Sequence, residues 1–283
     1  MIYINYETLC KDIRNNLWKI PHDVCGVVGV PRSGMLAASI IAEYLNVGLA
    51  SLDAMITDPD ALRRHGGRRL RQNDGNKLLI VDDTCYWGNA KKVCEDYYFN
   101  TYPIFEKYEI TYLVVYLEGP CTKAKPDIWL RDIREEAATG PFGWAIYEWN
   151  LFAHGRLTAR TLFDLDGVIC QEPPDERDVD KYVEYIKHPV PLFVPTVNNI
   201  NICTYRLNKY HDETWKFLDS LGYNGANIVM ASDRVLPAWE FKAGIYRDPH
   251  WMLFVESSDW QARRIHEATG KPVISIETNK VYG

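Results

Sequence analysis

Short apolar runs alternate along the chain with stretches whose apolar residues recur at helical spacing, the rhythm of strand, turn and helix. The pattern predicts a helix over residues 6–18, a buried strand over 25–30 and a helix over 35–45. A polar stretch rich in Arg and Gly follows over 58–76. After it come a strand over 77–81, a helix near 89–98 and a strand over 112–117. The rhythm then starts again. Strands are predicted over 161–163, 200–203, 228–231, 251–255 and 273–276, with helices over 179–186, 210–221 and 258–269. Alternation of this kind predicts parallel strands joined by crossover helices. The restart places a boundary near Arg156. The expected architecture is therefore α/β, as two doubly wound, mostly parallel-sheet domains over residues 1–156 and 157–283. No internal repeat or low-complexity tract interrupts either half.

Composition narrows the classes. At 283 residues, 47% hydrophobic and 25% charged, the chain can fill two cores and is not a disordered one. A net charge of -6 argues against a nucleic-acid partner, because phosphate backbones are bound through an excess of Lys and Arg. The seven Cys (10, 25, 85, 94, 121, 170 and 203) are scattered, odd in number and free of any C-x-x-C pair, which fits reduced thiols in a cytoplasm and speaks against structural zinc. The first residues carry neither a basic n-region nor a long apolar stretch. The expectation is a cytoplasmic protein with no membrane partner, and composition leaves a homo-oligomer open.

Two segments put carboxylates directly after an apolar run. In the first, Leu79-Ile80-Val81 leads into Asp82-Asp83-Thr84 and then Cys85-Tyr86-Trp87-Gly88-Asn89 ahead of a helix. Backbone N–H groups at such a helix start can receive a phosphate dianion. The two carboxylates repel phosphate but can accept hydrogen bonds from vicinal sugar hydroxyls or hold a magnesium ion through its waters. A solvated Asp-Asp turn capping a helix is the plain alternative. Upstream, Val28-Gly29-Val30-Pro31-Arg32-Ser33-Gly34 also joins a strand to a helix, with glycine for close approach and Arg for pyrophosphate. With both motifs in this order, residues 20–120 resemble the type I phosphoribosyltransferases. The resemblance implies that Asp82 and Asp83 bind the ribose of phosphoribosyl pyrophosphate (PRPP), that Thr84, Cys85, Tyr86, Trp87, Gly88 and Asn89 bind its 5-phosphate, and that Arg32, Ser33 and Gly34 bind its pyrophosphate. Trp87-Gly88-Asn89-Ala90 stands where many members carry Thr-Gly-x-Thr, which removes a phosphate-binding hydroxyl. The run from Arg63 to Arg71 holds five Arg where members carry a mobile loop that closes over substrate; a solvated basic loop is the equal alternative.

The second segment is Phe163-Asp164-Leu165-Asp166-Gly167-Val168. Residues i and i+2 of an extended strand end share a side, so one carboxylate can attack phosphorus while the other handles the proton. This segment resembles the first motif of the haloacid-dehalogenase-like (HAD) phosphohydrolases, and three further segments follow in that family's order. The resemblance implies Asp164 as nucleophile, Asp166 as general acid and base, Thr204 as a phosphoryl hydrogen-bond donor and Lys242 as the charge-offsetting ammonium. It also implies Mg2+ held by Asp164, Asp166 and an acid from Glu256-Ser257-Ser258-Asp259, with Glu256 first and Asp259 second. Strand-end caps and surface charges explain each residue singly, but not all of them together. About 30 residues separate the first and second motifs, short beside an inserted lid domain.

Together the two halves imply a bifunctional enzyme acting on small sugar phosphates. PRPP-dependent transfer to an acceptor would be followed by Mg2+-dependent removal of the 5-phosphate from the resulting phosphate monoester. The alternative is a phosphatase whose first domain only binds nucleotide or sugar phosphate as a sensing or recruiting module.

Overall fold

The computed structural model describes residues 1–58, 60–63, 70, 71, 75–197 and 199–283. They form two compact units, Ile2–Ala145 and Ile146–Gly283. The division falls upstream of the 156/157 boundary expected from the rhythm. Residues 146–156 pack within the second unit: Thr196 N–H donates to the Phe152 carbonyl at 2.8 Å, and the Phe152 ring lies 5.6 Å from Phe163 and 5.1 Å from Phe193.

In the first unit, β1 (Val24–Gly29), β2 (Gly48–Ser51), β3 (Lys77–Cys85), β4 (Glu109–Leu117) and β5 (Ile128–Asp132) make one sheet in the order β2-β1-β3-β4-β5. Every pair is parallel. The runs 78–81 and 113–116 are fully buried, as expected of strands covered on both faces. Around them lie α1 (Tyr6–Asn16), α2 (Ser33–Leu45), α3 (Leu52–Thr57), α4 (Asn89–Val93) and α5 (Arg134–Ala138). Asn5 caps α1 by accepting from Thr8 N–H at 2.8 Å, and Leu9 and Ile13, four apart, are its buried stripe. Small residues on α2, Ala37, Ala38 and Ala42, let it approach the sheet closely.

The sequence pattern missed β2 and β5, which are short, and it stopped β3 too early. Parallel pairing continues through Asp82 with Val114, Thr84 with Tyr116 and Cys85 with Leu117, so the carboxylates belong to the ladder rather than to a loop. The helix expected over 89–98 is a five-residue α4 that widens into a π-helical turn over Cys94–Phe99.

In the second unit, β6 (Thr161–Phe163), β7 (Asn201–Leu207), β8 (Asn227–Ala231), β9 (Leu253–Glu256), β10 (Val273–Ser275) and β11 (Lys280–Tyr282) lie in the order β8-β7-β6-β9-β10-β11. All neighbours are parallel except β10 and β11, which are antiparallel. The helices are α6 (Gly155–Thr158), α7 (Val179–Lys187), α8 (His211–Ser220), α9 (Ala238–Tyr246) and α10 (Asp259–Thr269). Leu162, Phe254 and Val273 from the sheet pack with Ala243, Tyr246, Ala262 and Ile265 from α9 and α10. Both α9 and β11 escaped the sequence reading. Both sheets reverse direction of winding at their centre, between β1 and β3 in one and between β6 and β9 in the other, and such switch points are where α/β sheets hold ligands. Among the described residues, no helix is long and apolar enough to cross a membrane.

Candidate functional sites

The first switch point brings the two N-terminal motifs together. Val30 N–H donates to the Val81 carbonyl at 2.9 Å, and Gly34 sits so close that a Cβ there would lie 2.7 Å from the Val81 carbonyl oxygen and 3.0 Å from Asp82 Oδ1. Any side chain at 34 would separate the Arg32-Ser33-Gly34 turn from the acidic pair. The Pro31–Arg32 peptide is cis, Arg32 is exposed, and Ser33 opens α2.

Asp82 and Asp83 are only 7% and 3% exposed. Burial, the charge of Asp83 and a hydrogen bond between the two carboxyl groups push Asp82 well above the usual carboxylate range. Like charges this close cannot both ionise without cost. Asp82 Oδ1 also accepts from Asp83 N–H at 2.9 Å and Oδ2 from the Tyr112 hydroxyl at 3.2 Å.

The turn after β3 is clamped by the segment after β4. The Cys85 carbonyl accepts from the N–H groups of Glu118 and Gly119, that of Tyr86 from Cys121 and that of Trp87 from Lys123, at 2.9–3.1 Å. Gly88 has φ +81° with the Ala124 carbonyl oxygen 2.0 Å from where a Cβ would sit, so glycine is required on both counts. Trp87 is half exposed and edge-on to Tyr86 at 4.9 Å. Asn89 begins α4.

Thr84 has a buried acid for a partner. Its hydroxyl donates to Glu118 Oε2 at 3.1 Å, and Glu118 Oε1 accepts from Ala145 N–H. Glu118, buried and acidic at the end of β4, is the member of this site whose role the sequence hid. In the Arg-rich run, residues 64–69 lie outside the described residues. Arg71 at its end donates to the carbonyls of His22 and Val24 at 2.8 and 3.1 Å, a structural use.

The second switch point gathers Asp164, Asp166, Thr204, Lys242 and Glu256 around a cavity of about 200 Å³, with Glu256 behind its wall. Asp164 follows β6 and stays in register through its N–H to the Val255 carbonyl, 2.9 Å. Lys242 on α9 points its ammonium between two carboxylates, 2.7 Å from Asp164 Oδ2 and 2.7 Å from Glu256 Oε2. Burial works against that charge, but Asp164 and Glu256 outweigh it and hold Lys242 protonated. Glu256 is fully buried; burial and the Asp164 charge push it up to about 8 against the pull of Lys242. Ser257 hydroxyl donates to Asp164 Oδ2 and Glu256 Oε1, 3.3 Å each.

Asp166 meets a partner absent from the expected set. Arg206, buried, pairs with both its oxygens and donates to the Thr214 hydroxyl at 3.2 Å. A β-bulge carries it there. Met230 pairs with Thr204 but Ala231 pairs with Leu207, so β7 has two residues, Tyr205 and Arg206, without a ladder partner on β8, and bulges re-aim side chains. Burial raises Asp166 above the usual range and Arg206 opposes it. The Arg206 N–H donates to Thr204 Oγ1 at 3.1 Å, which leaves the threonine its own proton to give. Glu172, in the segment after the first motif, also lines the cavity, and burial raises its carboxyl. The same segment contributes α7, whose Tyr182 closes one side.

The expected Mg2+ ligands do not all line one cavity. Asp259 is not at the cavity: its carboxylate accepts from the Thr278 and Tyr282 hydroxyls, which settle α10 against β11. Among the described residues no three carboxylate, imidazole or thiol side chains converge to hold a metal ion. The ammonium of Lys242 takes the position between Asp164 and Glu256 that a cation would need, and Arg206 takes Asp166. As arranged, the donors do not fit Mg2+.

No protein-family model matches the chain, and a search of curated proteins gave no match. Among solved structures, a purine phosphoribosyltransferase from Pyrococcus horikoshii is 15% identical over 52% of this chain and 92% of its own, with a TM-score of 0.35. A Helicobacter pylori xanthine-guanine-hypoxanthine phosphoribosyltransferase is 17% identical over 52% and 92%, TM-score 0.37. An orotate phosphoribosyltransferase from Aeropyrum pernix is 15% identical over 49% and 76%, TM-score 0.33.

Proposed function

We propose that the chain handles sugar phosphates at two sites, the first transferring the phosphoribosyl group of PRPP to an acceptor and the second removing the 5-phosphate. The observation that carries the reading is Lys242 between Asp164 and Glu256 at a switch point opening on a cavity that Thr204 and Arg206 also line. A phosphoryl group entering there meets Lys242, Arg206 and the Thr204 hydroxyl. Asp164 attacks phosphorus, the ester P–O bond breaks, and Asp166 gives its proton to the departing oxygen. Asp166 then takes a proton from water, whose oxygen displaces Asp164 from phosphorus and releases phosphate.

Hydrolysis of a generic phosphate monoester should be lost in Asp164→Asn, and activity persisting in that variant rejects the covalent route. Assaying in chelator and in Mg2+ tests the cofactor separately.

For the first unit, the Asp82–Asp83 dyad beside Gly34 supports binding of ribose hydroxyls, from which its carboxyl oxygens can accept. PRPP with a panel of bases, amines and alcohols should then release pyrophosphate, and Asp83→Asn should abolish release. The second reading, a sensing or recruiting unit, is favoured by the engagement of Thr84 with Glu118 and by Ala90 in place of a hydroxyl. PRPP binding without pyrophosphate release would select it; neither binding nor release would reject transfer and leave a unit that senses another nucleotide or sugar phosphate.

A further inference from the structure

A second cavity, of about 390 Å³, adjoins the phosphoryl cavity of the second unit and shares Glu172, Ser257 and Ser258 with it. Its size falls within the roughly 300–1,000 Å³ of small-molecule sites. The Glu172 carboxylate stands in the wall between the two: its Oε1 lies 2.2 Å from where a Cβ on Gly167 would be, at a residue with φ +76°. The two cavities differ in their cations. Lys242 and Arg206 line the first, beside the acids Asp164, Asp166, Glu172 and Glu176, whereas Gly167, Gln171, Leu192, Ile276 and Glu277 complete the second, and among the described residues no Lys, Arg or His lines it.

We propose that this second cavity takes the alcohol portion of the phosphate ester and selects neutral or cationic alcohols, rejecting those that carry a second anionic group. The phosphoryl end is drawn toward Lys242 and Arg206, and the remainder of the molecule is left facing Glu172 and Glu277 over an apolar floor. A second phosphate or a carboxylate there would lie beside like charge with no cation to offset it, an arrangement that discriminates by repulsion. The proposal rests on the phosphatase reading of Asp164 and adds its substrate class.

The test uses the full chain and three phosphates of one carbon skeleton: glucosamine 6-phosphate, glucose 6-phosphate and 6-phosphogluconate. The cationic and neutral esters should exceed the anionic one in kcat/KM by about tenfold, a like-charge effect that added salt reduces. Glu172→Gln and Glu277→Gln should each narrow that ratio by about threefold or more, since each removes one repelling charge. The amide introduced by Glu277→Gln keeps an oxygen to accept from Asp259 N–H, the contact Glu277 makes at 2.8 Å, so folding is not the readout. Equal rates for all three esters, or ratios unmoved by both variants, overturn the proposal while hydrolysis sensitive to Asp164→Asn leaves the phosphatase reading standing. Hydrolysis of none of the three overturns both.

Discussion

Lys242 shows what a single residue decides. Its ammonium is the common partner of two buried carboxylates, so Lys242→Met leaves Asp164 and Glu256 facing each other without compensation. Removing one partner of a buried ion pair typically costs about 3–5 kcal/mol; denaturant unfolding of the variant should show a loss of that order, together with loss of phosphate-ester hydrolysis. A loss below about 1 kcal/mol, the scale of an exposed ion pair, would place the ammonium in solvent instead. Glu256 gives the pH counterpart. Its native carboxyl binds a proton up to about 8, more tightly than in the unfolded chain. Native protein therefore holds more protons across the window from the ordinary carboxylate range to about 8, and stability falls as pH rises through it. Glu256→Gln should flatten that part of the pH–stability curve, and a slope unchanged in the variant would assign the proton elsewhere.

At the scale of elements, the turn that follows β3 has its shape set by one residue. Gly88→Ala has to accommodate both a positive φ and a contact with the Ala124 carbonyl, so the loop should detach from the 118–124 segment. Slower hydrogen exchange at Glu118, Gly119 and Cys121 in the parent than in the variant would register it, with an unfolding penalty of about 1–3 kcal/mol. Most elements were legible because strand cores such as 78–81 and 113–116 are unbroken apolar runs, and α1 and α10 have apolar residues at helical spacing. The exceptions have physical causes. β3 continues through Asp82 and Asp83 because the ladder with β4, rather than side-chain polarity, fixes its end. Helix α9 was hidden because its residues, Ala-Trp-Glu-Phe-Lys-Ala-Gly-Ile-Tyr, bury a lysine on the face where a pattern reading expects apolar side chains. In the second site, the resemblance named Asp164, Asp166, Thr204, Lys242 and Glu256, and the fold brings them together, whereas Asp259 lies elsewhere: an acid at a helix start satisfies the pattern equally well when it binds two hydroxyls. Arg206 carried a usable signal, since it follows Thr204 by two in a strand, but its burial against Asp166 depends on a bulge that no local pattern announces.

Over the whole molecule, one chain builds two sheets that each place acids at the turning point of their winding, by different means. The first holds a carboxyl dyad in which burial and like charge raise Asp82; the second sets buried cations against its carboxylates. Their responses to acidity should therefore be separable. Burial raises Asp82, and in the other unit burial raises Asp166 and Glu172, so a raised native carboxyl in each weakens folding as pH climbs above the ordinary carboxylate range. Asp82→Asn should remove the share of that slope due to the first unit alone, leaving the share that Glu256→Gln reduces; titration curves in which either substitution removes the whole slope would tie the proton uptake to one site.

The bulge in β7 also makes the second site sensitive to chain length in a way that its individual residues are not. A strand shifted by one position presents its other set of side chains, so deleting Tyr205 would carry the guanidinium out of the pocket and leave Asp166 buried there without it. Homologous chains that shorten this stretch should be expected to have exchanged the acid at 166 as well, because neither member of the pair is tolerable without the other.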